Sequence, residues 1–146
     1  MGNSTICMTI YIFKGNPVDA WYKRHVLMYF TSPENKNFHE TVHAQRDDEL
    51  KPWRVDRIHK KVIWADSATY ITHVNAGAVK VRKGHELDPV SVMAATPLTG
   101  RDADWNCQHF LLEGLQALVS HGYQTQEWYD CVEGDLMDKL LDTNIA

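Results

Sequence analysis

The sequence predicts an α+β fold in which a small antiparallel sheet packs on one cysteine-bearing helix. Three observations predict it. Short runs rich in β-formers, separated by turn residues, fill the chain up to about Asp102. Two helical patterns follow one another after that point. No internal repeat or low-complexity tract interrupts the order, and strands followed by helices point to one α+β domain spanning 1–146.

The elements follow in order. Ile6–Phe13 reads as a strand closed by Lys14-Gly15-Asn16-Pro17. His25–Thr31 is a second strand, and Phe38–Ala44 resumes the extended pattern after Ser32-Pro33-Glu34-Asn35-Lys36-Asn37. Residues 25–44 therefore read as a hairpin with a loop of about six residues centred near Glu34. Residues 45–61 are charged and irregular. Val62–Trp64, Tyr70–Val74 and Ala78–Val81 are short strand candidates, with Asn75-Ala76-Gly77 as a turn. Val90–Ala95 is ambiguous between strand and helix.

The first strong helix runs from about Trp105 to His121. Asp104 or Asn106 can cap its start, and Gly122 supplies a stop. Cys107, Leu111, Leu115 and Leu118 fall on one face, so the thiol heads the stripe that packs on the sheet. A second helix starts near Thr125, with Trp128, Cys131, Val132, Leu136, Leu140 and Leu141 as its apolar face. In this reading Cys131 and Cys7 are small buried hydrophobes.

Composition narrows the function. Of 146 residues 44% are hydrophobic and 23% charged, which is a globular rather than a disordered balance. The formal net charge of −4, with no basic run interleaved with aromatics, argues against a nucleic-acid partner. Three cysteines cannot all pair within the chain, which points to free thiols in a reducing, cytoplasmic setting. The apolar stretches are too short to span a bilayer, so no integral membrane anchor is expected. Met1-Gly2 begins a myristoylation pattern, but Ile6 stands where that pattern needs Ser or Thr.

The chemistry points to Cys107. A thiol in the first turn of a helix meets unpaired N–H groups and the positive end of the helix dipole. Both favour the thiolate, so Cys107 is the expected fast-reacting thiol. A nucleophilic cysteine also needs a base within hydrogen-bond reach and a third group to orient that base. With the hairpin centred near Glu34, facing residue numbers sum to about 68, which sets His25 opposite His43 and Tyr29 opposite His39. Side by side on adjacent strands, under the helix that bears the thiol, His25 and His43 would form a Cys–His–His arrangement with His25 as the base and His43, in preference to His39, as the orienting residue. His109 lies on another helix face and reads as a structural hydrogen-bonding residue. A zinc site can be drawn from His39, His43, Cys107 and His109. His-x-x-x-His needs a helix, though, and Phe38–Ala44 reads as a strand, so neither metal nor cofactor is expected.

Asn106-Cys107-Gln108-His109-Phe110 resembles the Asn-Cys-Glu-His-Phe motif of the lecithin:retinol acyltransferase-like proteins, within the NlpC/P60 group of permuted papain-like thiol enzymes. Arg24-His25-Val26-Leu27-Met28-Tyr29-Phe30 resembles that family's strand in which a His opens an apolar run, and Val42-His43 matches its second histidine. The resemblance covers these three segments, and Gln108 stands where the family has Glu. It implies a permuted papain-like fold, with Cys107 as nucleophile, His25 as base and His43 as its partner. The implied activity is acyl transfer or hydrolysis through an acyl-enzyme. With no membrane anchor expected, the substrate is expected to be a soluble small-molecule acyl compound, amide or thioester. A similar motif occurs in the permuted desumoylating isopeptidases, so a protein isopeptidase is the alternative. A non-covalent binding or cyclase module on the same fold is the third reading.

Overall fold

A computed structural model describes residues 2–16, 18–48, 50–101 and 104–142. Met1, Pro17 of the first predicted turn and Asp102 at the predicted change of character lie outside them. Five antiparallel strands form one sheet: β1 (Asn3–Phe13), β2 (His25–Ser32), β3 (Asn35–Gln45), β4 (Arg54–Ile58) and β5 (Tyr70–Arg82). Their order is β4-β3-β2-β1-β5. Among the described residues three α-helices follow, α1 (Asp88–Ala94), α2 (Cys107–Ser120) and α3 (Gln126–Leu141). The molecule is thus α+β, as the order of patterns predicts.

Alternation decides which sheet face meets the helices. Ile6, Met8, Ile10 and Ile12 of β1, Val26, Met28 and Phe30 of β2, and Val42 and Ala44 of β3 are buried in one core with Phe110, Leu111, Leu115 and Leu118 of α2. A fully buried aliphatic side chain contributes about 1.5–3 kcal/mol, so three leucines hold α2 on the sheet by several kcal/mol. The other face carries a smaller cluster, Phe13, Leu27 and Tyr29, packed by Tyr11, Tyr70 and Trp64. Trp64 belongs to a 3-10 turn, Trp64–Asp66, where the sequence pattern suggests a strand.

The hairpin differs from expectation. Ser32 pairs with Asn35, so the turn holds only Pro33 and Glu34. The remaining residues are absorbed as an irregularity in β3. Beyond it Tyr29 faces Thr41 and Thr31 faces His39. This register is displaced by two residues from the expected one. A displacement of two changes no side chain's face, because the strand period is two. That alternation sets His25 and His43 on the face away from α2, not beneath the thiol-bearing helix where the sequence reading expects them.

Three further differences have local causes. The charged stretch after Gln45 contains β4, Arg54–Ile58, in which three of five residues are charged and break both an apolar run and a strict alternation. Residues 70–82 form one strand, because Asn75-Ala76-Gly77 is a bulge and not a turn. Gly77 takes φ +77° and donates its N–H to Asn75 Oδ1 at 2.8 Å. Trp128 Nε1 donates to the Ala76 carbonyl at 2.8 Å, docking α3 on that bulge. Finally, α3 buries Val132, Leu136 and Leu140, four residues apart, while Cys131 is exposed. Cys131 is one position, about 100°, off that stripe.

Candidate thiol and histidine site

The start of α2 is built by its own side chains. Asn106 Oδ1 accepts from the Gln108 N–H at 2.9 Å, and the Asn106 N–H donates to His109 Nδ1 at 3.1 Å. This reciprocal cap satisfies two otherwise orphaned donors and fixes Cys107 at the first helical position. It also gives His109 the structural role read from the sequence. Asn106 Nδ2 reaches the Tyr22 carbonyl at 3.2 Å, and Gln108 Nε2 reaches the carbonyls of Trp21 and Arg24 at 2.8 and 2.9 Å. The motif thereby ties α2 to the 3-10 turn Trp21–Lys23 that leads into β2.

Arg24 closes the joint. Its carbonyl accepts from the Cys107 thiol at 3.8 Å. Its side chain is buried, and Nε and Nη2 donate to the two oxygens of Asp19 at 2.9 and 3.1 Å. Nη1 donates to the carbonyls of Lys139, Leu140 and Asp142 at 3.4, 3.2 and 3.4 Å, capping the end of α3. The Arg24 guanidinium holds the Asp19 carboxyl below its ordinary value.

The two histidines do meet. His25 Nε2 lies 2.9 Å from His43 Nδ1, with the rings 5.1 Å apart and edge to face. The displaced register makes this a diagonal contact, within reach of an aromatic side chain. They stand beside the smaller cluster: the Phe13 ring is 6.0 Å from His25 and the Trp64 ring 6.2 Å from His43. His39 goes elsewhere, with Tyr29 Oη 2.6 Å from its Nδ1 and the Lys36 carbonyl 2.8 Å from its Nε2.

Cys107 and His25 line one open cavity of about 890 Å³, at the end of the sheet where β2 begins. Tyr22, Trp53 and Trp105 supply aromatic surface, and Arg46 supplies a cation whose guanidinium carbon lies 4.5 Å above the Trp53 ring. Among the described residues no hydrogen bond joins Cys107 to His25; the thiol hydrogen is given to Arg24.

The electrostatics reverse one expectation. Burial pushes the Cys107 thiol up to about 11, although N–H groups of Val26, Cys107 and Gln108 pull it down. The helix end acts in the direction read from the sequence, and desolvation outweighs it. Burial, with the neighbouring His43, pushes His25 down to about 4. Burial also takes His43 to about 4, with Asp56 raising it and Arg54 lowering it. At neutral pH the site holds a protonated thiol and two neutral imidazoles.

Sequence reading missed Gln45 and Asp56. Gln45 Nε2 lies 3.1 Å from His43 Nε2 and 2.5 Å from Asp56 Oδ2. The alternation that marks His43 also places Gln45 on its face. Asp56 lies in the stretch taken as irregular and has no such signal. No group of three or more His, Cys, Asp or Glu among the described residues could hold a metal ion, and no helix among them is long and apolar enough to cross a membrane. Comparison with models of protein families, with curated proteins and with solved structures found no match.

Proposed function

We propose that the protein is a cytoplasmic thiol enzyme with a permuted papain-like fold, transferring or hydrolysing an acyl group through Cys107. The observation that carries this reading is the 2.9 Å His25 Nε2–His43 Nδ1 contact beside a cavity that Cys107 also lines. That contact leaves His25 Nδ1 as the ring nitrogen available to the cavity. His25 takes the thiol proton, the sulfur attacks a carbonyl carbon, and the C–S bond of an acyl-enzyme forms as the leaving group departs. The Gln108 N–H is engaged by Asn106, so the Cys107 N–H is the oxyanion donor in this scheme. Water or a second nucleophile then releases the acyl group. The tryptophan-walled cavity suits a small acyl, amide or thioester substrate with an apolar acyl part better than a polypeptide isopeptide.

One observation favours a second reading, a non-covalent binding module. Cys107 is 7% exposed, and its thiol is bonded to the Arg24 carbonyl and held protonated by burial. Intact-mass analysis after incubation with small activated esters and thioesters separates the two. The thiol reading expects an acyl adduct mapped to Cys107 and turnover abolished by Cys107→Ala and His25→Ala. Turnover should be lowered by His43→Ala and be near normal in His39→Ala, since His39 is occupied by Tyr29. A Cys107→Ala protein that keeps its rate sinks the thiol reading and promotes the binding module.

A further inference from the structure

The hydrogen-bond chain continues past His43, and its polarity can be read from chemistry. His43 on β3 pairs directly with Asp56 on β4, and Gln45 pairs with Arg54. The four side chains share one sheet face. The amide nitrogen of Gln45 contacts both His43 Nε2 and Asp56 Oδ2. An amide nitrogen only donates, so His43 Nε2 and the carboxylate both accept. Turning the amide over would set its oxygen against the carboxylate, acceptor against acceptor. The other Asp56 oxygen accepts from Arg54 Nε at 3.1 Å, and Arg54 Nη1 is held in turn by Asp47 at 2.8 Å, so the carboxylate is anchored.

The rest follows by counting protons. His43 Nε2 accepts and carries none. Burial keeps both rings neutral, so the His43 proton is on Nδ1 and is donated to His25 Nε2. His25 Nε2 is then bare, and the His25 proton is on Nδ1. We propose that Asp56, acting through Gln45, is a positioning residue that fixes the tautomers of both histidines and leaves His25 with its proton on Nδ1 at rest.

The catalytic meaning rests on the thiol reading above; the tautomers themselves do not. With Nδ1 occupied, His25 cannot take the Cys107 proton. The chain must first reverse, so that His25 Nε2–H donates to His43 Nδ1 and His43 Nε2–H donates to the oxygen of a turned Gln45 amide. Each ring moves one proton from Nδ1 to Nε2, with no net gain or loss of protons or electrons. Asp56 opposes the turned amide while it is ionised. The site therefore rests in an inactive polarity and is released by whatever neutralises or displaces Asp56.

Ring-nitrogen NMR of protein labelled with ¹⁵N-histidine tests this, because the spectrum shows which nitrogen carries hydrogen. The wild-type protein at neutral pH should show Nδ1–H on both His25 and His43. Asp56→Asn should move the Nδ1–H to Nε2–H ratio of both rings by about tenfold or more, since its side-chain amide can donate to the Gln45 oxygen. Gln45→Leu should lose the single-tautomer pattern. Nε2–H on either histidine in the wild type overturns the proposal, as does a wild-type pattern kept in both variants. These readouts need no turnover. Tautomers as stated, together with full activity in Cys107→Ala, would leave this assignment standing while the thiol reading fell.

Discussion

Alkylation of the native thiols gives a prediction whose size follows from the site. Treat the folded protein with iodoacetamide near pH 7.5 and follow each cysteine by peptide mass. With its pKa at about 11, Cys107 is thiolate in only about 3 parts in 10,000 at that pH. A free thiol in water, with a pKa of about 8.5, is thiolate in about one part in ten. The population factor is therefore roughly 300 against Cys107. The more basic thiolate is the better nucleophile, and a Brønsted slope of about 0.4–0.5 returns roughly a factor of ten. The net expectation is a Cys107 rate about 20–30-fold below a free-thiol standard, before burial slows it further. Cys131, being exposed, should label first. Raising the pH should speed Cys107 about tenfold per unit until it approaches 11. Cys107 labelling ahead of Cys131 at neutral pH, or at a rate indifferent to pH, refutes the reasoning that burial overrides the helix end.

Two further predictions concern stability. His25 and His43 titrate near 4 in the fold against 6.5 for an unperturbed histidine, so the unfolded chain binds more protons between those values. Stability should then fall as pH falls from about 6.5 towards 4, by up to about 3 kcal/mol per histidine. Urea midpoints measured across that range should show a shallower slope in His43→Gln, and an equal slope counts against the burial argument. On α2, a Cβ at Gly114 would lie 2.6 Å from Met93 Cγ and 2.9 Å from its Cε. Gly114→Ala should destabilise by about 1–3 kcal/mol from overpacking, offset by up to about 1 kcal/mol of helix propensity. An unchanged or raised denaturation midpoint would contradict that packing.

The two long helices and the inner strands were legible because their burial repeats with the right period, whereas α1, only seven residues long, left Val90–Ala95 ambiguous between strand and helix. Leu111, Leu115 and Leu118 mark α2, and the alternation through β1 marks the core face without ambiguity. The cap was legible to within two candidates, Asp104 and Asn106, for a chemical reason, since a short polar side chain before a periodic run has few other uses. The hairpin register was not, because it depends on whether surplus residues go into the turn or into β3, and neither choice alters the alternating pattern. The His25–His43 contact survived that error through the two-residue period. Cys131 was misjudged by one helical position: Trp128 and Val132 draw it into the apolar stripe, while Glu127 and Asp135, one turn to either side, mark its own face as polar. The Cys107 pKa was misjudged because a helix end is visible in sequence, whereas the depth at which it is buried depends on Arg24 and on the whole sheet. Asp56 was invisible for the same reason: it becomes a partner of His43 only when β4 pairs with β3.

Arg24 joins two things that are distant in the chain. Its carbonyl shields the thiol, and its guanidinium binds the last carbonyls of α3. Helix ends are where native proteins open first and at least cost, well below the free energy of global unfolding. Fraying of the last turn of α3 withdraws those carbonyls from the guanidinium and leaves Asp19 and the Gln108 amide to hold Arg24 over Cys107. The residue that covers the thiol is thus tied to the last turn of α3, some 115 residues from Arg24 in sequence, and substitutions at that helix end reach the Cys107 surroundings through Arg24 without touching the cavity.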